Sequence, residues 1–395
     1  MITDLFIKNL QLQNYKSIRN LDVRFNKGLN IIIGENGAGK TNLLEYIVKI
    51  FKDDFAPYKK IRHNISNEIL IYKIEVESNN NDEMSVASFK RIEELKRNHE
   101  SSFFDGIHFS TWKKKNEMSN EENDYIELSD NTLDENSQLL ELLFNVQLKT
   151  IHFNDPKELN FITNPSGLEY DIKYRSVLTD VSSNTYFLTI FFNFLADKLA
   201  HYNSKKINKE EIISIVNKTF KQTLRKTDIV SYLKKFTPIN DIKLNESINI
   251  YTQNKQIIID NVQLIFKVNG NWLPWSYLSD GTKRIFYIIL EAINPEKNIV
   301  LIEEPELGIH PHQLYKLMNF LKEMAEEKQI IITTHSPIAL DVLSPEELDA
   351  IIIAKYTPKG TVMNHLTPTE AKKAKVYIEK TGNLSAYWLH SDLEK

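Results

Sequence analysis

The sequence predicts an α/β fold whose central sheet is mixed but mainly parallel and is flanked by helices. Three observations predict this class. An apolar run at 29–33 is followed by a glycine-rich loop and then by an amphipathic helical pattern. Two further apolar runs, at 299–302 and 329–332, each end abruptly in polar residues. Short apolar runs suit strands buried on both faces, and the carboxyl ends of parallel strands meet at one edge of a sheet.

Composition restricts the class of protein further. The 395 residues are 42% hydrophobic and 26% charged, as in a globular protein, and only 11 are glycine, which excludes collagen-like and glycine-linker sequences. The chain has no cysteine and hence no disulfide, thiolate zinc site or cysteine nucleophile, which fits a cytoplasmic protein. We expect no signal peptide, because the N-terminus has no basic flank followed by an apolar core. We expect no membrane partner, because no apolar run reaches the roughly 18 residues of a membrane span. The nearest run, at 186–195, contains polar residues and predicts a buried helix.

Along the chain, strand and helix patterns predict a split core with an insert. Apolar and polar residues alternate at 5–12 and 21–25, as in half-buried strands. After the first helix, the patterns are strand-like at 69–112, helical at 184–236 and strand-like again at 246–269. In the last third of the chain, we expect helices at 282–293 and 311–327 and strands at 298–302, 329–333 and 350–355. We therefore expect a core formed by 1–160 and 245–395, with an antiparallel β lobe at the N-terminus and an inserted helical lobe at 161–244.

Charge is distributed unevenly behind a net charge of −4. Residues 116–143 contain nine acidic residues and no basic one, which gives −9, and we expect an exposed or disordered acidic loop at about 113–138. Residues 201–240 contain nine basic and three acidic residues, which gives +6. This basic segment could contact the phosphates of DNA, or it could be an ordinary solvated helical face, and the sequence leaves both open.

A phosphate-binding loop is the most specific motif in the chain. Four residues separate Gly34 from Gly39-Lys40-Thr41, which is the P-loop pattern. Glycines let successive backbone N–H groups curl around phosphate oxygens, and the dipole of the following helix favours the same anion. Lys40 would supply a cation to the β- and γ-phosphates, and Thr41 a hydroxyl to Mg²⁺. The candidate nucleotide-binding residues of the loop are Asn36, Gly37, Ala38, Gly39, Lys40, Thr41 and Asn42.

Two adjacent glutamates at the end of the 299–302 run are candidates for metal binding and catalysis. Carboxylates at the end of a buried strand are costly unless they bind a metal or take part in chemistry. Strand alternation points Glu303 and Glu304 in opposite directions, so one can hold Mg²⁺ and its waters while the other orients the attacking water. The alternative is a solvated acidic turn, which the presence of a P-loop motif disfavours.

Two weaker motifs complete the set. His335 follows the 329–332 run, and its neutral imidazole could donate a hydrogen bond to a γ-phosphate, although a lone histidine is more often structural. Ser279 lies in Leu278-Ser279-Asp280-Gly281-Thr282-Lys283-Arg284, where it would be a good N-cap for a helix whose start suits an anion. By itself, this second motif is better explained as an ordinary capped helix.

Taken together and in this order, the four motifs resemble those of ATP-binding-cassette (ABC) ATPases. GENGAGKT resembles the Walker A loop, LSDGTKR the signature motif, IVLIEEPELGIHP the Walker B motif with the D-loop, and TTHSP the switch histidine. The opening NYKSIRNLDVRFNKGLNIIIGENGAGKTNLL is similar to the N-terminus of the SMC, RecF and OLD-like branch, and Lys16 within it is a further candidate nucleotide contact. The chain looks most similar to the short bacterial ATPases of antiphage defence systems such as Septu, PARIS and retron-linked operons. The resemblance is specific over about 1–52 and 270–340.

The resemblance implies a P-loop NTPase with an ABC-type head that uses ATP and Mg²⁺. Lys40 and Thr41 would bind phosphate and Mg²⁺. Glu303 would take the Mg²⁺-linked position, where Asp is more usual, and Glu304 would be the general base. His335 would sense the γ-phosphate, and hydrolysis would be slow or regulated.

The resemblance also implies partners. Ser279 and Gly281 would reach the nucleotide of a second subunit, so we expect a homodimer or higher oligomer. The coiled-coil arms of SMC proteins are missing, and the 60 residues after His335 would be too few for the Toprim nuclease domain of OLD proteins. We therefore expect the sensor or regulatory ATPase of a defence system, with a separately encoded nuclease or toxin as effector. The alternatives are a RecF- or SMC-like DNA repair ATPase and an ATP-switched scaffold with little turnover.

Overall fold

The computed structural model divides the chain into two units. One, the first unit, comprises Met1–Thr150 and Pro295–Lys395, and the other, the second unit, comprises Ile151–Asn294. The residues that the structure describes are 4–49, 69–80, 83–96, 99–114, 125–132, 148–151, 159–163, 171–176, 186–200, 208–253, 256–295 and 297–391.

The strands and helices of the described residues are as follows. The strands are β1 (Asp4–Tyr15), β2 (Ile18–Arg24), β3 (Leu29–Ile33), β4 (Ile69–Asn80), β5 (Glu83–Lys96), β6 (His99–Lys114), β7 (Tyr125–Thr132), β8 (Leu148–Ile151), β9 (Leu159–Thr163), β10 (Asp171–Ser176), β11 (Ile239–Leu244), β12 (Asn249–Gln253), β13 (Gln256–Asp260), β14 (Leu264–Val268), β15 (Asn271–Pro274), β16 (Ile299–Glu303), β17 (Gln329–Thr334), β18 (Ile351–Thr357) and β19 (Gly360–His365). The helices are α1 (Lys40–Lys49), α2 (Tyr186–Ala200), α3 (Lys209–Thr227), α4 (Ile229–Phe236), α5 (Asp280–Ala292), α6 (Pro311–Met324), α7 (Pro368–Thr381) and α8 (Leu384–His390). Short 3₁₀ helices cover Trp275–Tyr277, Pro337–Val342 and Leu348–Ala350.

The first unit is built on a central sheet with the strand order β19-β18-β3-β17-β16-β8. Strands β16, β17, β3 and β18 pair in parallel, and β19 runs antiparallel to β18. Glu303 pairs with Thr333, and Thr334 pairs with Ile33, so β16, β17 and β3 end at the same edge. This arrangement confirms the predicted α/β fold with a mainly parallel sheet. It also brings the loops after these three strands, which carry three of the sequence motifs, to one edge.

Helix α1 is held against the core of the first unit by its apolar face. The residues on that face are Leu43, Leu44, Tyr46 and Ile47, and all are buried in one cluster with residues of β1, β2 and the central sheet. The rings of Tyr15 and Tyr46 lie 4.5 Å apart in this cluster. Since burial of a large apolar side chain contributes roughly 1.5–3 kcal/mol, this face fixes the position of the helix that begins at Lys40.

A second sheet of the first unit is antiparallel, as predicted for the N-terminal β lobe. Its strand order is β2-β1-β4-β5-β6-β7. Strand β7 corrects the prediction of an acidic loop at 113–138, because Tyr125–Thr132 pairs antiparallel with β6. Ile126 and Leu128 alternate with Glu127 and Ser129 there, and this period-two pattern favours a strand despite the acidic composition. The parts of the tract at 115–124 and 133–147 lie outside the described residues.

The second unit contains the predicted helical segment and two small sheets. The apolar run at 186–195 forms α2 and is buried at Phe187, Phe191, Phe192 and Leu195, which confirms the prediction of a buried helix. The two sheets have the orders β12-β13-β10-β9 and β11-β14-β15. No described helix combines the length and the apolar content that crossing a bilayer requires.

The second unit is longer than the expected insert at 161–244, since it continues to Asn294. Strands β11, β14 and β15 pair with one another, and α5 packs against α2 and α4. The stretch 245–294, which was expected in the core, therefore makes its main contacts within the second unit. Sequence periodicity reports the type of an element but not the partner that covers it, which explains this difference.

Candidate functional site

The loop between β3 and α1 has the backbone that the P-loop motif predicts. Gly37 and Gly39 have φ angles of +82° and +90°, which L-residues rarely adopt. A Cβ atom at Gly34 would lie 2.1 Å from the carbonyl oxygen of Ala354, so a larger residue cannot fit there. Asn36 and Gly37 are exposed and Ala38 is buried, so the loop is anchored on one side and open on the other.

Two residues of the first unit support the loop from behind. A Cβ atom at Gly39 would lie 2.2 Å from Oγ1 of Thr361 and 2.8 Å from Oγ of Ser17. These two hydroxyls are 2.7 Å apart, and Ser17 Oγ also accepts a hydrogen bond of 2.7 Å from Nδ2 of Asn42. The turn between β1 and β2 and the start of β19 therefore hold the P-loop, and Asn42 contacts this support.

Lys40 is a buried cation at the start of α1. Its side chain is only 5% exposed overall. Nζ donates to the backbone oxygens of Gly34, at 2.6 Å, and Glu35, at 2.9 Å. The ammonium group is thus held inside the curve of its own loop, where an anion bound by the loop would meet it.

Thr41 and Glu303 meet at the edge of the central sheet. Oγ1 of Thr41 donates a hydrogen bond of 2.5 Å to Oε1 of Glu303, although 262 residues separate them. A hydroxyl and a carboxylate are oxygen ligands of the kind that Mg²⁺ prefers. The pair fits a magnesium site, and these are the two residues that the sequence predicted for it.

Glu304 has an unusual backbone conformation directly after β16. Its φ angle is +44°, and its N–H donates a hydrogen bond of 2.8 Å to the carbonyl oxygen of Thr333. A non-glycine residue at positive φ stores strain, and such strain is concentrated at functional sites. The side chain is 26% exposed, so it can reach a ligand at this edge.

His335 lies next to Glu304 and Glu306 in the first unit. Its Nδ1 is 3.8 Å from Oε1 of Glu304 and 3.1 Å from Oε1 of Glu306. The imidazole is 40% exposed, whereas the side chain of Glu306 is only 8% exposed. The structure therefore brings together the predicted base and the predicted switch histidine, and it adds a second carboxylate.

Lys16, a predicted nucleotide contact, lies in the turn between β1 and β2 with a φ angle of +48°. Its Nζ forms an ion pair with Glu45 on α1. Partial burial acts to lower the pKa of Lys16, but the hydrogen bond and ion pair with Glu45 raise it above its ordinary value. Lys16 is thus linked to the helix of the P-loop, and its role in nucleotide binding stays a prediction.

The signature segment belongs to the second unit. Ser279 is the N-cap of α5, and its Oγ accepts a hydrogen bond of 3.3 Å from the N–H of Thr282. Gly281 is buried in the first turn of the helix. The preceding Trp275 packs edge-on against Phe286, with ring centroids 5.2 Å apart. This aromatic packing fixes the start of α5. The N-cap is confirmed. The contact of Ser279 and Gly281 with a second subunit stays a prediction.

Glu306, Ser17 and Thr361 are site residues that sequence reasoning did not select. Glu306 stands in the acidic run with Glu303 and Glu304, but the run gives no sign of which carboxylate turns inward. Ser17 and Thr361 are 344 residues apart, and nothing local marks either of them. Within the described residues, no group of three His, Cys, Asp or Glu side chains forms a further metal site.

Comparison with known proteins identifies the family to which the chain belongs. A family model described as "AAA domain, putative AbiEii toxin, Type IV TA system" matches residues 29–341. The chain is a member of this AAA family. The match begins at β3 and ends within the 3₁₀ helix after His335, so it includes all four motifs.

Relatives of this AAA family member include two bacterial proteins that it matches over most of their length. The Septu protein PtuA of Bacillus thuringiensis is 24% identical over 363 residues, covering 88% of this chain and 76% of PtuA. The retron Vc95 probable ATPase of Vibrio cholerae is 24% identical over 401 residues, covering 87% of this chain and 73% of that protein. These relatives agree with the resemblance to ATPases of defence systems.

A solved structure supports the fold of this AAA protein. The Smc head domain derived from Pyrococcus furiosus, with an extended coiled coil and bound to the C-terminal domain of ScpA, aligns with a TM-score of 0.50 at 12% identity. The alignment covers 95% of this chain and 100% of that one. The predicted P-loop NTPase fold with an ABC-type head is thereby confirmed.

Proposed function

We propose that this AAA family member binds ATP with Mg²⁺ and hydrolyses it to ADP and phosphate. The observation that carries the proposal is the cluster at one edge of the central sheet, where the Thr41–Glu303 pair and the Glu304–His335 pair follow neighbouring parallel strands. The test is release of phosphate from ATP by the purified chain, with and without a chelator of Mg²⁺. The absence of Mg²⁺-dependent hydrolysis would contradict the proposal.

Each residue of the cluster has a task that follows from its chemistry. Lys40 and the backbone N–H groups of its loop bind phosphate oxygens. Thr41 and Glu303 would hold Mg²⁺, which when bound neutralises charge on the β- and γ-phosphates. Glu304 orients the attacking water and accepts its proton. His335 contacts the γ-phosphate from the neighbouring strand end.

We propose further that the active form is a homodimer or a higher oligomer. The support is the signature segment, where Ser279 and the first N–H groups of α5 form a polar helix start suited to an anion. In this arrangement, Ser279 and Gly281 of one subunit contact the γ-phosphate held by the P-loop of the other. ATP would then join two subunits, and hydrolysis would separate them.

Substitution of Ser279 by Arg is expected to abolish ATP-dependent dimer formation. A long cationic side chain at the N-cap would fill the space that the partner's nucleotide needs, and its charge would oppose the helix dipole. Analytical ultracentrifugation with ATP and Mg²⁺ measures the dimer fraction. Ser214→Arg is the matched control, because Ser214 is exposed on α3 of the same unit. A Ser279→Arg protein that is folded and still forms the dimer would disprove the role of this segment.

In the cell, we propose that this ATPase is a cytoplasmic regulatory subunit of an antiphage defence system. The support is the similarity to the Septu protein PtuA and to the retron Vc95 probable ATPase. The damaging reaction would belong to a separately encoded nuclease or toxin, whose activity the nucleotide state controls. Co-expression with the product of the neighbouring gene tests this, and the proposal predicts a complex that changes between ATP and ADP. Failure to form a complex in either state would count against it.

DNA is a second candidate ligand, because the structure exposes the basic side chains of α3 and α4. The exposed residues are Lys209, Lys218, Lys221, Arg225, Lys226, Lys234 and Lys235. They carry cationic groups into solvent, where phosphates could neutralise them. The rest of the basic segment, at 201–207, lies outside the described residues.

The double substitution Lys234→Glu with Lys235→Glu is expected to weaken DNA binding and to flatten its dependence on salt. Each lost phosphate contact removes about one released counterion, so the slope of log K against log salt falls by about one per contact. The matched control is Lys372→Glu with Lys373→Glu, an adjacent exposed pair on α7. Fluorescence anisotropy with duplex DNA at several salt concentrations measures both effects. Equal binding by the wild-type protein and the first variant would rule out contact through α4.

A further inference from the structure

We infer that Glu306 is a positioning residue that sets the orientation of the His335 ring and ties it to the loop of Glu304. The inference rests on the proposed ATP hydrolysis, and it assigns a task to a carboxylate that the four motifs leave without one. Glu306 itself contacts neither the P-loop nor Thr41 in the described structure. It acts through His335.

Two hydrogen-bond donors and the ring of His335 converge on one oxygen of Glu306. Its Oε1 accepts hydrogen bonds from Oγ1 of Thr334, at 2.7 Å, and from the N–H of His335, at 2.9 Å. Nδ1 of His335 lies 3.1 Å from the same oxygen. The backbone and the ring of His335 are therefore both fixed by one carboxylate, and Thr334 fixes that carboxylate in turn.

Burial shows that this arrangement has a cost which the rest of the fold must offset. The Glu306 side chain is only 8% exposed, and its Oε2 is buried without a hydrogen-bond partner among the described residues. A buried carboxylate is unfavourable unless hydrogen bonds and charge partners compensate it. An apolar residue would fill this position at lower cost, so a positioning task explains why a carboxylate occupies it.

The loop connects Glu306 to the proposed base. The N–H of Leu307 donates to the carbonyl oxygen of Glu304 at 3.2 Å, which closes a tight turn over Glu304 and Glu306. A shift of Glu304 would therefore move Glu306, and with it the anchor of His335. The base and the histidine share one rigid support.

The contact also determines which nitrogen of His335 is available to a ligand. Nδ1 lies 3.1 Å from the carboxylate oxygen of Glu306, and a proton on Nδ1 is favoured there because a lone pair on Nδ1 would face the negative charge. The neutral ring then carries a lone pair on Nε2, so it donates to a phosphate through Nε2 only when both nitrogens are protonated. This differs from the expectation that a neutral imidazole is the donor, and the difference arises from Glu306.

The test compares Glu306→Ala, Glu306→Gln and His335→Ala with the wild-type protein. Kinetics with ATP and Mg²⁺ give kcat and KM, direct titration gives the Kd for ATP, and ¹⁵N NMR of labelled histidine reports which ring nitrogen of His335 is protonated. The matched control is Glu347→Gln, because Glu347 likewise accepts hydrogen bonds, from the N–H of Ser344 at 2.7 Å and Nζ of Lys322 at 2.5 Å, and does not contact His335.

We expect Glu306→Ala to lower kcat roughly 10–100-fold, as removal of a partner that orients a functional histidine does, with the Kd for ATP unchanged within about threefold. The wild-type ring should be protonated at Nδ1, and Glu306→Ala should transfer the proton to Nε2. In the His335→Ala background, the loss from Glu306→Ala should disappear, because the two residues act as a unit. Glu347→Gln should leave kcat unchanged.

Three results would overturn the inference. These are an unchanged tautomer in Glu306→Ala, a full additional loss in the double variant, or an equal loss of kcat in Glu347→Gln. Should Glu306→Ala not fold, Glu306→Gln decides, since its weaker acceptor must reduce the Nδ1-protonated fraction. A wild-type protein without ATP hydrolysis refutes the proposed function instead, and the NMR experiment on the nucleotide-free protein still decides the role of Glu306.

Discussion

Replacing Glu304 with Gln is expected to slow ATP hydrolysis about 10²–10⁴-fold while ATP stays bound. Glutamine has the shape of glutamate, but its amide cannot accept a proton from the attacking water. Lys40 and the Thr41–Glu303 pair, which would hold the nucleotide, are untouched by the substitution. The nucleotide-joined dimer should therefore persist. Phosphate release, ATP titration and sedimentation measure the three parts of this result.

The control for Glu304→Gln is Glu326→Gln, because Glu326 is exposed beyond the end of α6. Normal hydrolysis by the Glu304 variant would show that the base has been assigned to the wrong residue. A wild-type rate that is as low as the variant's would instead favour the scaffold alternative, in which nucleotide binding sets the conformation and little turnover occurs.

Replacing Lys40 with Ala is expected to weaken ATP binding about 10–100-fold. Hydrogen bonds from a charged donor contribute roughly 1.5–3 kcal/mol, and each 1.4 kcal/mol is a factor of ten in affinity. The folded protein should lose roughly 1–3 kcal/mol of its free energy of unfolding, because the oxygens of Gly34 and Glu35 each lose one hydrogen bond and removal of a buried ammonium group offsets part of that loss. Calorimetric titration and thermal unfolding separate the two effects.

Lys316→Ala is the control for Lys40→Ala, since Lys316 is exposed on α6 of the same unit. An affinity for ATP that survives in the Lys40 variant would mean that the P-loop is not the nucleotide site. If the Lys40 variant loses affinity for ATP only to the extent that it is unfolded, Lys40 is a structural residue.

Much of the candidate nucleotide site could be predicted because its parts are local. The strand Leu29–Ile33, the glycine-rich loop and the helix that begins at Lys40 follow one another without interruption, and each has its own pattern. The proximity of Glu304 and His335 could likewise be predicted, because each follows a buried strand and the prediction required only that the two strands run parallel. Strands β7 to β11, β15 and β19 and helices α7 and α8 were not predicted.

From the sequence alone we could predict the class of fold and select the P-loop, Glu303, Glu304 and His335 as candidate site residues, because spacing along the chain reports backbone type and polarity directly. The neighbours of these site residues became known only from the tertiary structure. In the tertiary structure, Thr361 lies behind Gly39 and Glu306 lies beside His335. The stretch 245–294 belongs to the second unit. Ser17 and Thr361 are far apart in the chain, and Glu306 is one of three glutamates in a single run. Only the packing of the folded chain determines which residues meet and which glutamate is buried.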